Sequence, residues 1–232
     1  MKQTKIQLES ILNKVKYGMG TYFLDEKKLE LIHNSLKKQN IEHSIFYPYE
    51  GATYGVLYTT EYPNVSLLKI HCEGELTHAS IMGSLYSLNL KKEIFGDIIV
   101  GIPSYVVVMH HMTEYIIQNI YQIGPHPVTI EECDIKEIEN YIPSYEILTI
   151  SVVSNRLDTI ISKLIGISRN GVETKFKNKE IILNYEVATK PSYFLKEGDV
   201  FSIRKYGKYR YVGIISKTKQ GKNIVKFQKY IN

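Results

Sequence analysis

Apolar residues recur at helical spacing over residues 4–16, where Ile6, Ile11, Leu12 and Val15 share one face and predict an opening helix. Gly18 and Gly20 break it. Asp25 then stands as an N-cap, and Leu29, Ile32 and Leu36 carry a second apolar stripe to about residue 39. Extended stretches follow at residues 41–47 and 54–60. From residue 65 the period alternates between two and 3.6. A strand over 66–72 leads to a helix over 77–89 that starts at a Thr. Strands over 97–102 and 105–110 flank Pro103-Ser104; a helix over 112–123 is stopped by Gly124-Pro125, and a strand covers 128–131. This βαββαβ order is the split-βαβ order of ferredoxin-like and RRM-like folds. Its core is expected over about residues 65–131. The third strand, Tyr105 to His111, lacks the basic-aromatic signature of RNA-recognition motifs, so no base stacking is expected from it.

The acidic stretch 133–143 reads as a connector. After it, the pattern predicts a strand over 146–153, helices over 156–165 and 169–177, and strands near 181–183, 200–204, 209–216 and 224–230. The expected fold class is α+β. An N-terminal α/β domain covers residues 1–145 and a second domain covers residues 151–232.

Charge separates these two halves. Residues 151–232 hold 17 Lys and Arg against 6 Asp and Glu, whereas residues 1–150 hold 12 against 18. A basic half on an acidic one predicts that the basic half meets a polyanion. All four Arg, at 156, 169, 204 and 210, lie in the basic half, and only Arg offers a planar fork to phosphate and to bases. The two Cys argue against a disulfide scaffold and for a reducing compartment, the cytoplasm. No apolar run approaches the roughly 20 residues that cross a bilayer, so no membrane is expected.

Particular residues sharpen the polyanion reading. Arg156-Leu157-Asp158 begins an apolar-periodic helix, and Ser168-Arg169 opens a second one. Ile181, Leu183 and Asn184 close a strand, and Lys190-Pro191-Ser192 and Gly198-Asp199 follow. In order and spacing these residues resemble the S4 RNA-binding module. That resemblance implies an S4 (αL-like) domain with a β-hairpin tail, and it carries an RNA-facing role onto Arg156, Ser168, Arg169 and Lys175. Two positions depart from the module. Lys179-Glu180 stands where the module has Gly-Lys, so a different turn is expected, and Val172 replaces a small Ala.

The chemistry of the segment agrees with this role. A helix N-terminus with a Ser cap and an Arg suits phosphate, and Lys175, Lys177 and Lys179 extend the positive surface. Asn184 either reads RNA or shapes the turn before Tyr185-Glu186. Further on, Arg204, Lys205, Lys208 and Arg210 interleave with Tyr206, Tyr209 and Tyr211, a composition for phosphate contacts and stacking. The plainer reading is a hairpin whose alternate Tyr pack on the core. Lys217 joins Lys219 and Lys222 around Gly221 in a predicted hairpin.

Along nearly its whole length the chain is similar to the YlmH family of bacterial S4 proteins. The similarity rests on Tyr22-Phe23-Leu24-Asp25, Thr77-His78 before a Gly83-containing helix, Glu93 to Ile98, the helix end from Tyr115 to Gly124, and the S4 region with its tail. It implies binding to rRNA of the large ribosomal subunit, with peptidyl-tRNA as a second candidate ligand. It also implies a role in rescue of stalled nascent chains and a link to cell division, and the factor is expected to be a monomer.

Enzyme readings find less support. His71 and Cys72 are strand neighbours pointing to opposite faces, and no metal-binding His-Glu-x-x-His or Cys-x-x-Cys occurs. Gly18-Met19-Gly20 lacks the third Gly of a dinucleotide loop. No cofactor or metal is therefore expected. S4 modules also occur on pseudouridine synthases, but the chain's one Arg-Leu-Asp lies in the S4 match. The expectation is a non-enzymatic RNA-binding factor. An RNA-modifying enzyme of that type, and a protein-interaction module using the acidic half, are the alternatives.

Overall fold

The computed structural model describes residues 2–231, with side chains from Glu9 onward, so the side chain of Ile6 lies outside the described residues. Two compact units are present, one reaching Ile142 and the other covering Pro143–Ile231.

In the first unit, helix α1 (Lys2–Lys16) precedes strand β1 (Leu24–Asp25) and helix α2 (Glu26–Lys38). The Asp25 carboxylate accepts from the Lys28 amide at 3.0 Å, which satisfies one of the four unpaired donors of the first turn. Strands β2 (Ser44–Phe46) and β3 (Tyr54–Tyr58) join β1 in a three-stranded antiparallel sheet. Leu29, Ile32 and Leu36 of α2 pack with Val15 and Leu57, as the stripe predicts.

A second sheet follows. Its strands are β4 (Val65–His71), β5 (Phe95–Ile99), β6 (Ser104–Met109) and β9 (Thr129–Cys133), in spatial order β5-β6-β4-β9 and antiparallel throughout. Helix α3 (His78–Ser87) connects β4 to β5, and helix α4 (Thr113–Asn119) lies between β6 and β9. Thr77 caps α3 in a reciprocal box with Ser80. The helix expected to 123 stops at Asn119 instead. Gln122–Ile123 (β7) pairs with His126–Pro127 (β8) in a small hairpin around Gly124, whose φ is +58°.

The run of apolar residues on β6 is explained by burial on both faces. Val106 and Val108 pack with Ile81, Leu85 and Ile116 of the helices. Val107 and Met109 pack on the other side with Val56 of β3 and with Phe23 and Tyr49 from the segments flanking the first sheet's strands. No described helix is long and apolar enough to cross a membrane.

The second unit is a six-stranded antiparallel sheet with two helices. Its elements are β10 (Tyr145–Val152), α5 (Leu157–Ile165), α6 (Arg169–Lys177), β11 (Ile181–Leu183), β12 (Glu186–Val187), β13 (Val200–Ile203), β14 (Gly207–Lys217) and β15 (Asn223–Tyr230), with strand order β10-β15-β14-β13-β11-β12. Leu157, Ile160 and Ile161 of α5 and Val172 of α6 meet Phe201, Tyr209, Tyr211, Val225 and Phe227 in one core. Phe201 and Phe227 are fully buried, so truncating either to Ala costs about 3–5 kcal/mol. This unit has a core of its own.

Candidate nucleic-acid interface

The apolar face of α5 fixes where its charges stand. With Leu157, Ile160 and Ile161 in the core, Arg156 and Lys163, seven residues apart, fall on the outer side. Asp158 does not cap the helix. It holds Arg156 in a two-point fork, Nε to Oδ1 at 3.1 Å and Nη2 to Oδ2 at 2.5 Å, and accepts from the Thr159 amide at 2.7 Å. Partial burial pushes the Asp158 carboxyl up, but the bonds from Arg156 and Thr159 outweigh it and leave it below the usual range. The amides of Leu157 and Asp158 donate to the carbonyls of Tyr193 and Pro191. The start of α5 is therefore closed to phosphate.

The start of α6 differs. Gly166 takes φ +66° as the left-handed C-cap of α5, and Ser162 Oγ donates to the Ile167 carbonyl at 2.6 Å. The chain then turns directly into Ser168, whose Oγ accepts from the Gly171 amide at 3.2 Å. The amides of Arg169 and Asn170 have no partner within the helix, and the Arg169 side chain is exposed beside them.

An open groove of about 1290 Å³ runs along these helices. Arg156, Lys163, Arg169, Lys177, Lys179 and Lys222 line it, against the carboxylates Asp158 and Glu173, with Val172, Phe176 and Ala188 among its apolar lining. The expected residues Arg156, Arg169, Lys177 and Lys179 are thus brought together. Lys163 and Lys222 were missed as site residues. The seven-residue spacing from Arg156 would have found Lys163. Lys222 arrives from the β14–β15 turn, which sequence spacing cannot place.

Other expected site residues stand elsewhere. Lys175 pairs with Glu180 at 2.8 Å and lies 4.9 Å from the centre of the Tyr206 ring. Because α6 ends at Lys177, Lys175 and Lys179 share no helical face. Lys179 takes φ +57°, a conformation that glycine adopts most easily. Glu180, bound by Lys175 and then by Asn178, is held below the usual carboxylate range.

Asn184 is occupied in a turn. Its Nδ2 donates to Asp199 at 2.8 Å and its Oδ1 accepts from the Val200 amide at 3.0 Å. Asn184 and Tyr185 both have positive φ, as the two-residue hairpin between β11 and β12 requires. Of the interleaved segment, Tyr209 and Tyr211 are buried in the core, whereas Arg204 and Lys205 are exposed in the β13–β14 turn. Lys208 and Arg210 project from the other side of β14, and Lys217 is exposed near its end.

In the first unit, His71 pairs with Glu131 at 2.9 Å and His110 bonds Ser66 at 2.7 Å. No described residues gather three or more possible metal ligands. Burial pushes the Cys133 thiol up to about 11, which leaves it unreactive.

Comparison with known proteins turns on residues 60–137. They match the family described as "Putative RNA-binding domain in YlmH". The chain is also 31% identical over 153 residues to the "Ribosome-associated protein quality control protein P2" of Bacillus subtilis, an alignment spanning 66% of this chain and 60% of that protein. Both matches make the chain similar to YlmH proteins. The chain thus spans about 60% of the length of that relative. Its mixed α and β fold is similar to the "Cell division protein ylmH from Streptococcus pneumoniae", with a TM-score of 0.52, 18% identity, and coverage of 60% of this chain and 94% of that one. The YlmH match falls on the first unit, whose sheet face opposite α3 and α4 is covered by Phe23, Tyr49 and Val56. Stacking of bases on that face is sterically closed.

Proposed function

We propose that this chain is a non-enzymatic RNA-binding factor that docks structured rRNA of the large ribosomal subunit in the groove along α5 and α6, with peptidyl-tRNA as a second ligand. The observation that carries this is the groove itself: six cations against two carboxylates, with the uncapped amides of α6 beside Arg169. The arrangement suits phosphates more than base edges, since Arg and Lys there present donors and the lining offers little to read sequence. RNA shape would select the site. We read the second unit as an S4-type module and the β4–β9 sheet with α3 and α4 as a split-βαβ core. This reading extends to a role in rescue of stalled nascent chains, in the cytoplasm and as a monomer; the relative's name as a ribosome-associated quality control protein supports its ribosomal part.

The test is co-sedimentation of the full chain with large subunits. Arg156→Glu with Arg169→Glu should abolish it, because reversed charges repel phosphate, while loss of the Arg156–Asp158 fork lowers the melting transition but leaves it cooperative. A folded double variant that still sediments with the subunit would remove the groove from consideration.

A second reading rests on the match at 60–137. That stretch carries ten acidic and four basic residues, and one of its cations, Lys69, is paired with Glu137 at 2.8 Å. Such a surface suits contact with a basic ribosomal protein. If the double variant still sediments and nuclease-treated subunit proteins still capture the chain, this second reading takes over.

A further inference from the structure

Lys208 of β14 faces aromatic partners that its sequence neighbours do not supply. Strand alternation sends Tyr209 and Tyr211 into the core and Lys208 and Arg210 to the opposite face of the sheet. Register places Tyr230 and then Tyr145 beside Lys208, and Lys226 one rung further along β15 on the same face as Arg210. Tyr145 and Tyr230 meet edge to face with centroids 5.0 Å apart. The Lys208 ammonium lies 4.4 Å from the centre of the Tyr230 ring and 5.7 Å from that of Tyr185. No carboxylate pairs with Arg210 or Lys226 among the described residues, and the Arg210 Nε is buried without a hydrogen-bond partner. By register none of the strand positions on this face is acidic; Glu197, from the preceding loop, lies against Gly213 at the end away from Lys208.

We propose that this face of the six-stranded sheet is a second RNA surface, one that holds unpaired nucleotides. Bases would stack on Tyr145, Tyr185 and Tyr230, and Lys208, Arg210 and Lys226 would meet their phosphates. A flat sheet carrying aromatics and cations tracks a single strand, because every base has a face to stack while duplex bases present only edges. Lys208 resting on Tyr230 fits this use. An arriving base would compete with the ammonium for the Tyr230 ring, with Lys208 left beside the adjacent phosphate. The groove along α5 and α6 would hold folded RNA, and the sheet face an adjoining unpaired stretch. The proposal shares with the groove reading only the premise that this unit binds RNA.

The experiment uses the full chain with two probes, a 12-nucleotide oligouridylate and a stable RNA hairpin without overhangs. Tyr230→Ala should weaken oligouridylate binding by about tenfold, in line with the loss of one stacked base, and leave hairpin binding unchanged. Tyr230→Phe should restore it, since the ring stays. Lys208→Gln with Lys226→Gln, which touches no core position, should weaken the same probe and flatten its salt dependence. Arg169→Glu should show the reverse preference and affect the hairpin more. Lysine labelling of the free protein should modify Lys208 and Lys226, with oligouridylate protecting both. Absence of oligouridylate binding, or equal binding by the parent and all sheet-face variants, overturns the proposal while the groove reading stands. Loss of hairpin binding in neither class of variant, with the oligouridylate effects intact, sinks the groove reading instead. Protection of the two Lys in nuclease-treated lysate but not by oligouridylate would make this a protein-binding face and would also overturn the proposal.

Discussion

Arg169 and Asn184 show how a single position divides between fold and function. Arg169 is exposed at the free start of α6, so Arg169→Ala should weaken RNA binding and reduce the slope of log affinity against log salt by roughly one unit. Filter binding over a salt series measures both, and a weaker variant with an unchanged slope would make Arg169 a structural residue. Asn184 should behave in the opposite way. Its side chain satisfies Asp199 and the Val200 amide, so Asn184→Ala should cost about 1–3 kcal/mol of stability by urea unfolding and leave the salt slope alone. Acid should act through Asp158 and Glu180. Both carboxyls are held below their ordinary range in the fold, so their stabilising contribution is complete at neutral pH. It is lost as pH falls through the ordinary carboxylate range and towards their folded values. Urea midpoints should therefore drop more steeply below about pH 5 for the parent than for Asp158→Asn with Glu180→Gln. Equal slopes would mean that neither pair contributes.

At the scale of elements, the short link between α5 and α6 sets the geometry of the groove. Gly166 ends one helix in the left-handed region and Ser168 caps the next two residues later. Ser168→Ala should cost about 1 kcal/mol, seen as a lower melting temperature, and should weaken RNA binding because the first turn of α6 frays. If melting falls while affinity holds, the α6 start is not a phosphate contact. Both helices were legible in the sequence because cap residues and a 3.6-residue period mark them independently. The same logic placed α2 and α3. It overran α4, since Ile120 continues the apolar pattern although its backbone is already extended. Two-residue strands such as β7, β8 and β12 leave no period to read. Arg156, Ser168 and Arg169 were legible as site candidates for the same reason as their helices. Lys175 and Asn184 were not separable from them, because Glu180 and Asp199 reach them only through turns. The alternation of Tyr and cations over 204–211 was visible, but which side faced the core depended on register with β13 and β15.

For the whole molecule, charge and core divide along the same line. The unit Pro143–Ile231 has its own hydrophobic core and carries the cations, so as a fragment it should keep most of the RNA affinity. The fragment ending at 142 should bind poorly, as judged by equilibrium binding to one hairpin RNA at physiological salt. Comparable affinities would move the RNA site to residues 60–137. The fragment must start before Tyr145. A cut at 151 would strip β10, which pairs with β15 over its full eight residues.

That pairing also decides how the second unit answers a pull. β10 brings the chain into the unit and β15 takes it out, with Tyr145 opposite Tyr230 and the Ile231 amide bonded to the Ser144 carbonyl. Entrance and exit therefore sit side by side at one end of two antiparallel strands. Tension applied between them runs across the strands and loads the rungs one after another, as in a zipper, whereas opposed ends would load all rungs together in shear. Held by its two ends, the unit should open at low force from the Tyr145–Tyr230 rung inwards. Held instead by a ligand on α5 and α6 and by one end, it would not present that weak axis. The module would be mechanically soft when idle and firm when docked.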